Sequence, residues 1–161
     1  MTKKSHSAFT LVELIFVIVI IGILSVIAIP NFDNLVDNSK ITSELATASS
    51  VQNALDAIHG EWITNACAFD WGNEQNTTIN PLNINGYPNS LGTDNARPLN
   101  FILKNSENGD WVKGVDGFYR GPATRTDNKG TKNRNIANKP EGNDYWEYNA
   151  TTGTFKLIDV Q

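Results

Sequence analysis

The sequence predicts an α+β protein in which one long N-terminal helix packs against a small antiparallel β-sheet. Residues 9–30 are apolar almost throughout, and apolar side chains then recur at three- and four-residue steps as far as Ile58. The rest of the chain is rich in Asn, Gly, Thr and aromatic residues and shows strand-like alternation near its end. We therefore expect an apolar helix, an amphipathic continuation of it, and a soluble head.

The apolar run at residues 9–30 has the length of a membrane span. About 22 helical residues at about 1.5 Å each reach roughly 33 Å, enough to cross the hydrocarbon core of a bilayer. Lys3 and Lys4 precede the run, so the positive-inside rule places the short N-terminus in the cytoplasm and the head outside. No small-residue cleavage site follows the apolar core, which favours a retained single-pass anchor over a secretory signal.

One carboxylate, Glu13, lies within the apolar run. A charged side chain at the centre of a membrane helix costs about 2.5–3.5 kcal/mol on insertion scales, and less near a helix end. The Glu13 side chain therefore either reaches back to the cytoplasmic interface, where its charge is tolerated, or has a functional role within the apolar segment.

The segment SAFTLVELIFVIVIIGILSVIAIP resembles the N-terminus of type IV pilin-like prepilins, including the pseudopilins of type II secretion systems. The resemblance covers about the first fifty residues. It implies a basic leader at residues 1–8, cleavage between Ala8 and Phe9 by a prepilin peptidase, N-methylation of Phe9, and a filament core built from residues 9–30. The family usually has Gly before the cut, where this chain has Ala8.

The same resemblance implies a role for Glu13 in assembly. Cleavage would create an amine on Phe9, and the amine of a neighbouring subunit would offset the burial of the carboxylate and fix the register between subunits. Gly22 and Pro30 are weak points of the long helix, so we expect them to permit local melting during assembly. Gly22 also suits close packing between apolar helices.

The amphipathic continuation is predicted at residues 31–59. Gly60 is a natural helix stop, so the helix should end near His59, which would then act as a helix-end cation. Its apolar face consists of Phe32, Leu35, Val36, Ile41, Leu45, Ala48, Val51, Leu55 and Ile58.

The head is predicted at residues 60–161. It has too few aliphatic residues for an ample core of its own, so the apolar face of the helix should complete that core. Residues 145–148 and 154–158 predict a β-hairpin, and weaker signals at residues 111–115 and 118–119 raise the total to three or four antiparallel strands.

A polar loop is predicted between Asp127 and Asp144. Major pseudopilins commonly bind calcium in a corresponding C-terminal loop, so Asp127, Glu141 and Asp144 are candidate ligands. No EF-hand spacing is present, and a solvated loop without a metal remains the alternative. No other cofactor is expected.

The single cysteine, Cys67, excludes an intrachain disulfide. Many type IV pilins have such a disulfide, so its absence favours pseudopilins or pilins of lineages without it. We expect Cys67 to be buried beside Ala66, Ala68 and Phe69, and an intermolecular disulfide is the alternative. No motif supports His59 and Cys67 as a catalytic base and nucleophile, and we predict that the chain is not an enzyme.

Charge argues against a nucleic-acid partner. Loss of Lys3 and Lys4 with the leader would take the net charge from −4 to about −6, which disfavours phosphate binding. Two segments fit an extended acidic N-glycosylation sequon, with Asn76 and Asn149 as acceptors.

These observations predict a structural subunit of a type IV pilus or type II secretion pseudopilus. Its expected partners are other pilin-like subunits, a prepilin peptidase, an inner-membrane assembly platform and membrane lipid. It would first be held in the bacterial inner membrane and then enter the filament. The alternative is a membrane-anchored module whose head binds a ligand outside the cytoplasm.

Overall fold

The computed structural model describes residues 9–70, 81–103, 110–125 and 143–160. These residues form one α-helix, α1 (Leu11–Thr64), and four β-strands. The chain divides into two compact units, Met1–Val36 and Asp37–Gln161. This α+β architecture, with a long apolar N-terminal helix and a small antiparallel sheet, confirms the predicted fold class.

Helix α1 is longer at its C-terminal end than its sequence predicts. The helical assignment continues through Pro30 and through Gly60, and it ends at Thr64. The predicted stop at Gly60 is therefore wrong. Trp62, just beyond Gly60, packs so closely on Gly86 that a Cβ added to Gly86 would lie 2.4 Å from its Cε3 atom. This packing outweighs the cost of about 1 kcal/mol for a glycine inside a helix.

The four strands form one antiparallel sheet in sequential order. They are β1 (Val112–Lys113), β2 (Tyr119–Arg120), β3 (Tyr145–Asn149) and β4 (Thr154–Ile158). β3 and β4 pair over their full length, from Tyr145 opposite Ile158 to Asn149 opposite Thr154. The predicted hairpin and the predicted number of strands are both confirmed.

The core of the second unit lies between the sheet and one face of α1. Neighbouring strands contribute aromatic rings, and Trp146 stacks on Phe155 with ring centroids 5.3 Å apart. The buried cluster contains Ala48, Val51, Leu55, Leu91, Leu99, Trp111, Tyr119, Trp146 and Phe155. The helix thus supplies aliphatic side chains that the head lacks. The predicted apolar face extends too far, however, because Phe32, Leu35 and Val36 are exposed.

The end of α1 corrects two further predictions. His59 does not lie at the helix end, because α1 continues to Thr64, and its ring stacks against Tyr87 and Trp62, at centroid distances of 4.3 and 5.7 Å. Cys67 is exposed, not buried. It follows Ala66 in a turn where both residues have positive φ, 55° and 64°, and its N–H donates to the carbonyl of Trp62. The turn satisfies helix-end carbonyls and directs Cys67 away from the core.

Candidate functional site

The N-terminal turn of α1 engages Glu13 within its own chain. Glu13 Oε2 accepts hydrogen bonds from the Thr10 N–H at 2.8 Å and from the Thr10 hydroxyl at 2.9 Å. In return, the Glu13 N–H donates to Thr10 Oγ1 at 3.3 Å. This reciprocal pattern is a capping box, which satisfies backbone donors that have no partner inside the helix.

Thr10 is a functional candidate that sequence reasoning missed. A Thr followed three residues later by Glu, just before an apolar run, is the sequence signature of a capping box, and residues 10–13 carry it. Both Thr10 hydrogen bonds end on Oε2. Among the described residues, Oε1 has no hydrogen-bond partner. The carboxylate is therefore fixed in the first turn with one oxygen left for another group.

The helix beyond this turn presents apolar side chains in every direction. Leu11–Ile29 is long and apolar enough to span a membrane, judged by length and composition, and none of it is buried within the chain. Its large side chains range from Val17, 44% exposed, to Val26, 75% exposed. An apolar surface of this extent marks contact with lipid or with other protein surfaces.

The other predicted assembly residues lie along the same helix. Phe9 lies two residues before the start of α1 and is 79% exposed, whereas Ala8 lies outside the described residues. Outside the adjacent residues and the nearby helix backbone, no described atom lies within 4 Å of a Cβ built on Gly22, so packing within the described part of the chain does not require its small size. Pro30 lies inside the helical assignment, and its side chain is outside the described part.

Calcium binding in the polar loop stays a prediction. Asp127 and Glu141 lie outside the described residues. Asp144 is 2% exposed, and its Oδ1 accepts a hydrogen bond from the Val160 N–H at 3.0 Å. Asp144 thus ties the start of β3 to the chain after β4. In the described part of the chain, no three His, Cys, Asp or Glu side chains are grouped as a metal site.

The two predicted glycosylation acceptors also remain predictions. Asn76 lies outside the described residues. Asn149 is the last residue of β3 and is exposed. Its Oδ1 accepts hydrogen bonds from the N–H groups of Thr151 and Thr152, at 2.9 and 3.3 Å, which orders the hairpin turn.

The structure does not bring His59 and Cys67 together as a catalytic pair. The His59 ring lies in the aromatic stack, and its buried Nδ1 atom has no hydrogen-bond partner among the described residues. Cys67 is exposed in the turn after α1. No hydrogen bond joins the two side chains, although both belong to the described part of the chain, so this geometry gives no support to a nucleophilic mechanism.

Comparison with known proteins places the similarity at the N-terminus. Residues 3–29 match the family model of the prokaryotic N-terminal methylation motif. The type IV major fimbrial protein FimA of Dichelobacter nodosus is 30% identical over 96 residues, which are 58% of this chain and 56% of that protein. The chain therefore spans about half the length of this curated relative.

Other relatives share a shorter segment. The type IV narrow pilus major component PilA5 of Thermus thermophilus is 52% identical over 46 residues, covering 29% of this chain and 40% of that protein. A fimbrial protein of Pseudomonas aeruginosa is 35% identical over 54 residues, covering 34% and 35%. No solved structure matches the chain. The chain thus carries the prokaryotic N-terminal methylation motif and is similar to type IV fimbrial and pilus proteins.

Proposed function

We propose that this protein is a structural subunit of a type IV pilus or a closely related pseudopilus. The observation that carries the proposal is the methylation motif at residues 3–29, which coincides with an entirely unburied apolar helix. The relatives that share this segment are named as fimbrial and pilus proteins, and the name of PilA5 describes a major pilus component.

Processing at the N-terminus would prepare the helix for assembly. A prepilin peptidase would cut between Ala8 and Phe9, and the new amine of Phe9 would be methylated. The cut would lie one residue before Thr10, so the capping box would remain intact within the mature chain. Mature subunits would therefore begin with a positive amine next to an ordered carboxylate.

The apolar helix explains how a membrane protein becomes a filament subunit. In the inner membrane, lipid covers the side chains of Leu11–Ile29, with the head outside the cytoplasm. An assembly platform would transfer the subunit to the filament, where the apolar helices of neighbouring subunits replace lipid as the contact. The protein would act by polymerisation and would catalyse no reaction of its own.

Pairing of Glu13 with the Phe9 amine of a neighbour would make this packing specific. Oε2 is already held by Thr10, so Oε1 is the oxygen that would accept the amine. A subunit out of register would leave a charge unpaired among aliphatic side chains, which is strongly unfavourable. Glu13 would thereby select one axial position.

The test uses the fact that Gln serves a capping box as well as Glu does. Glu13→Gln keeps the cap but removes the charge, whereas Glu13→Ala removes both. Glu61→Ala is the matched control, because Glu61 is an exposed glutamate near the other end of α1. We expect both Glu13 variants to insert into membranes but to be lost from sheared filaments, and the Glu61→Ala variant to assemble normally.

Two outcomes would contradict the proposal at different points. Normal filament incorporation of the Glu13→Gln variant would show that the charge does not direct assembly. A wild-type chain that stays in the membrane and never enters a filament, in cells that hold the peptidase and the platform, would favour the membrane-anchored binding module instead. Immunoblots of membrane and sheared-filament fractions distinguish these results.

A further inference from the structure

The second compact unit contains a fully buried carboxylate that the proposed assembly does not use. Glu44 lies on α1 and is 0% exposed. Its Oε2 accepts hydrogen bonds from the N–H groups of Ala123 and Thr124, at 2.6 and 3.1 Å. Its Oε1 accepts from the Thr124 hydroxyl at 2.9 Å and from Trp146 Nε1 at 2.7 Å. No Lys or Arg of the described residues forms an ion pair with it.

The four donors belong to a hydrogen-bonding pocket around this carboxylate, formed by residues 121–125 and Trp146, which we call the receptor. The Gly121 N–H donates to Thr124 Oγ1 at 2.8 Å, which orients the hydroxyl toward Glu44. The Arg125 N–H donates to the Gly121 carbonyl at 3.0 Å and closes the turn. A Cβ on Gly121 would lie 2.6 Å from the Glu44 carboxyl, so glycine is required for this approach. The receptor therefore fits one side chain at one position.

The apolar contacts that make up the core between α1 and the head lack this selectivity. Hydrophobic burial is non-directional, so one aliphatic side chain can replace another after a shift along the helix. A shift by one turn, about 5.4 Å, moves residues four positions apart onto each other. The buried positions of α1 recur at steps of three and four residues: Ile41, Glu44, Ala48, Val51, Leu55 and Ile58.

We propose that Glu44 is a positioning residue that fixes the register of the head on α1. In a shifted register its carboxylate would be buried without donors, and the N–H groups of Ala123, Thr124 and Trp146 would lose their acceptor. Both changes are costly in a dry interior. A single buried polar residue fixes the register of coiled coils in the same way. The consequence for filaments, that every subunit presents its head at the same height, rests on the proposed function.

A second contact, remote from Glu44, reports the register. The Gln52 side chain accepts a hydrogen bond from the Phe155 N–H at 2.9 Å and donates to the Gly153 carbonyl at 3.1 Å. Gln52 lies about 12 Å along the helix from Glu44, given a rise of about 1.5 Å per residue. Loss of the Glu44 carboxylate therefore does not remove the acceptor of Phe155. That amide loses this acceptor if the head shifts along α1 or if the head opens.

The experiment is amide hydrogen exchange, resolved by residue, on the full chain in detergent micelles. Glu44→Leu replaces the carboxylate by an apolar side chain of similar size. We expect the Phe155 amide to exchange at least about tenfold faster in this variant, with unchanged helix content by circular dichroism. Gln52→Ala is the positive control, because it removes the acceptor directly. Unchanged protection of Phe155 in the Glu44→Leu variant would overturn the proposal.

A milder pair of variants keeps the test decisive if Glu44→Leu fails to fold. Thr124→Ala removes one donor and weakens the receptor, whereas Thr124→Ser keeps the hydroxyl. We expect faster exchange of Phe155 in the Ala variant and wild-type protection in the Ser variant. Equal protection in both variants would contradict a role for the receptor. The measurement uses unassembled chains, so it stands apart from the outcome of the filament test.

Discussion

Two glutamates of one helix show how different the surroundings of the N-terminal and central parts of α1 are. Glu13 is exposed, and its described hydrogen bonds stay within its own first turn. Glu44 is completely buried, and its partners lie about 80 to 100 residues later in the chain. The described hydrogen bonds of Glu13 are thus local, whereas those of Glu44 join the central part of the helix to the head.

The same contrast holds for apolar side chains. Leu24 is 60% exposed and Leu55 is 0% exposed, although both lie on α1. We expect Leu55→Ala to reduce the free energy of unfolding of the head by about 2–5 kcal/mol, through lost burial and a cavity. Leu24→Ala should leave the unfolding of the head unchanged. Guanidinium titrations followed by tryptophan fluorescence measure both, and equal losses would contradict the division of the chain into two units.

Two glycines in the head allow a similar comparison. Gly153 and Gly117 both have positive φ, 65° and 84°. A Cβ on Gly153 would lie 2.0 Å from the Tyr87 ring, whereas none of the surrounding atoms lies within 4 Å of a Cβ on Gly117. Gly117→Ala should cost only the backbone strain, about 1–2 kcal/mol. Gly153→Ala should add about 1–3 kcal/mol of overpacking, seen as a lower melting temperature. Equal melting temperatures would show that Tyr87 moves away without cost.

A substitution at Ala66, in the turn after α1, should stabilise the folded protein. Ala66 has a φ of 55°, a conformation that costs a residue with a Cβ about 1 kcal/mol. We expect Ala66→Gly to raise the free energy of unfolding by up to about 1 kcal/mol, less the greater chain entropy of glycine. Ala68→Gly is the control, because Ala68 has no positive φ and should gain nothing. A gain at both positions would argue against relief of strain.

The pH dependence of the head tests the environment of Glu44. Burial raises the pKa of Glu44 above its ordinary value of 4.5, while the hydrogen bonds from Trp146, Ala123 and Thr124 act against that rise. The folded protein therefore binds a proton more readily at this site than the unfolded chain does. We expect the stability of wild type, relative to Glu44→Gln, to increase as pH falls through the raised pKa toward 4.5. A relative decrease would show that the hydrogen bonds dominate.

Much of the fold follows from sequence periodicity. The hairpin of β3 and β4 is predicted correctly because alternating residues flank a turn rich in Asn, Thr and Gly. The end of α1 is not, because Gly60 is a local stop signal that the contact of Trp62 with Gly86 overrides. The receptor of Glu44 is not predictable in this way either, since its donors are distant in sequence and two of them are backbone groups.

The candidate assembly site is the part most readable from sequence. Its predicted residues, from the cut after Ala8 to Glu13, lie within one short segment of the chain. Resemblance to a short sequence motif is therefore enough to predict them. The capping box of Thr10 and Glu13 is just as local, and its spacing of three residues is present in the sequence. The sequence of residues 127–144, by contrast, has neither periodicity nor a ligand spacing from which a calcium site follows.

The central claim is that the chain matures through the pilin pathway. Its most direct test is the intact mass and N-terminal sequence of the protein from its native membranes, with and without the prepilin peptidase. We expect the chain to begin with N-methylated Phe9 when the peptidase is present, and to keep the leader at residues 1–8 when the peptidase is absent. An uncut leader in the presence of the peptidase would contradict this claim.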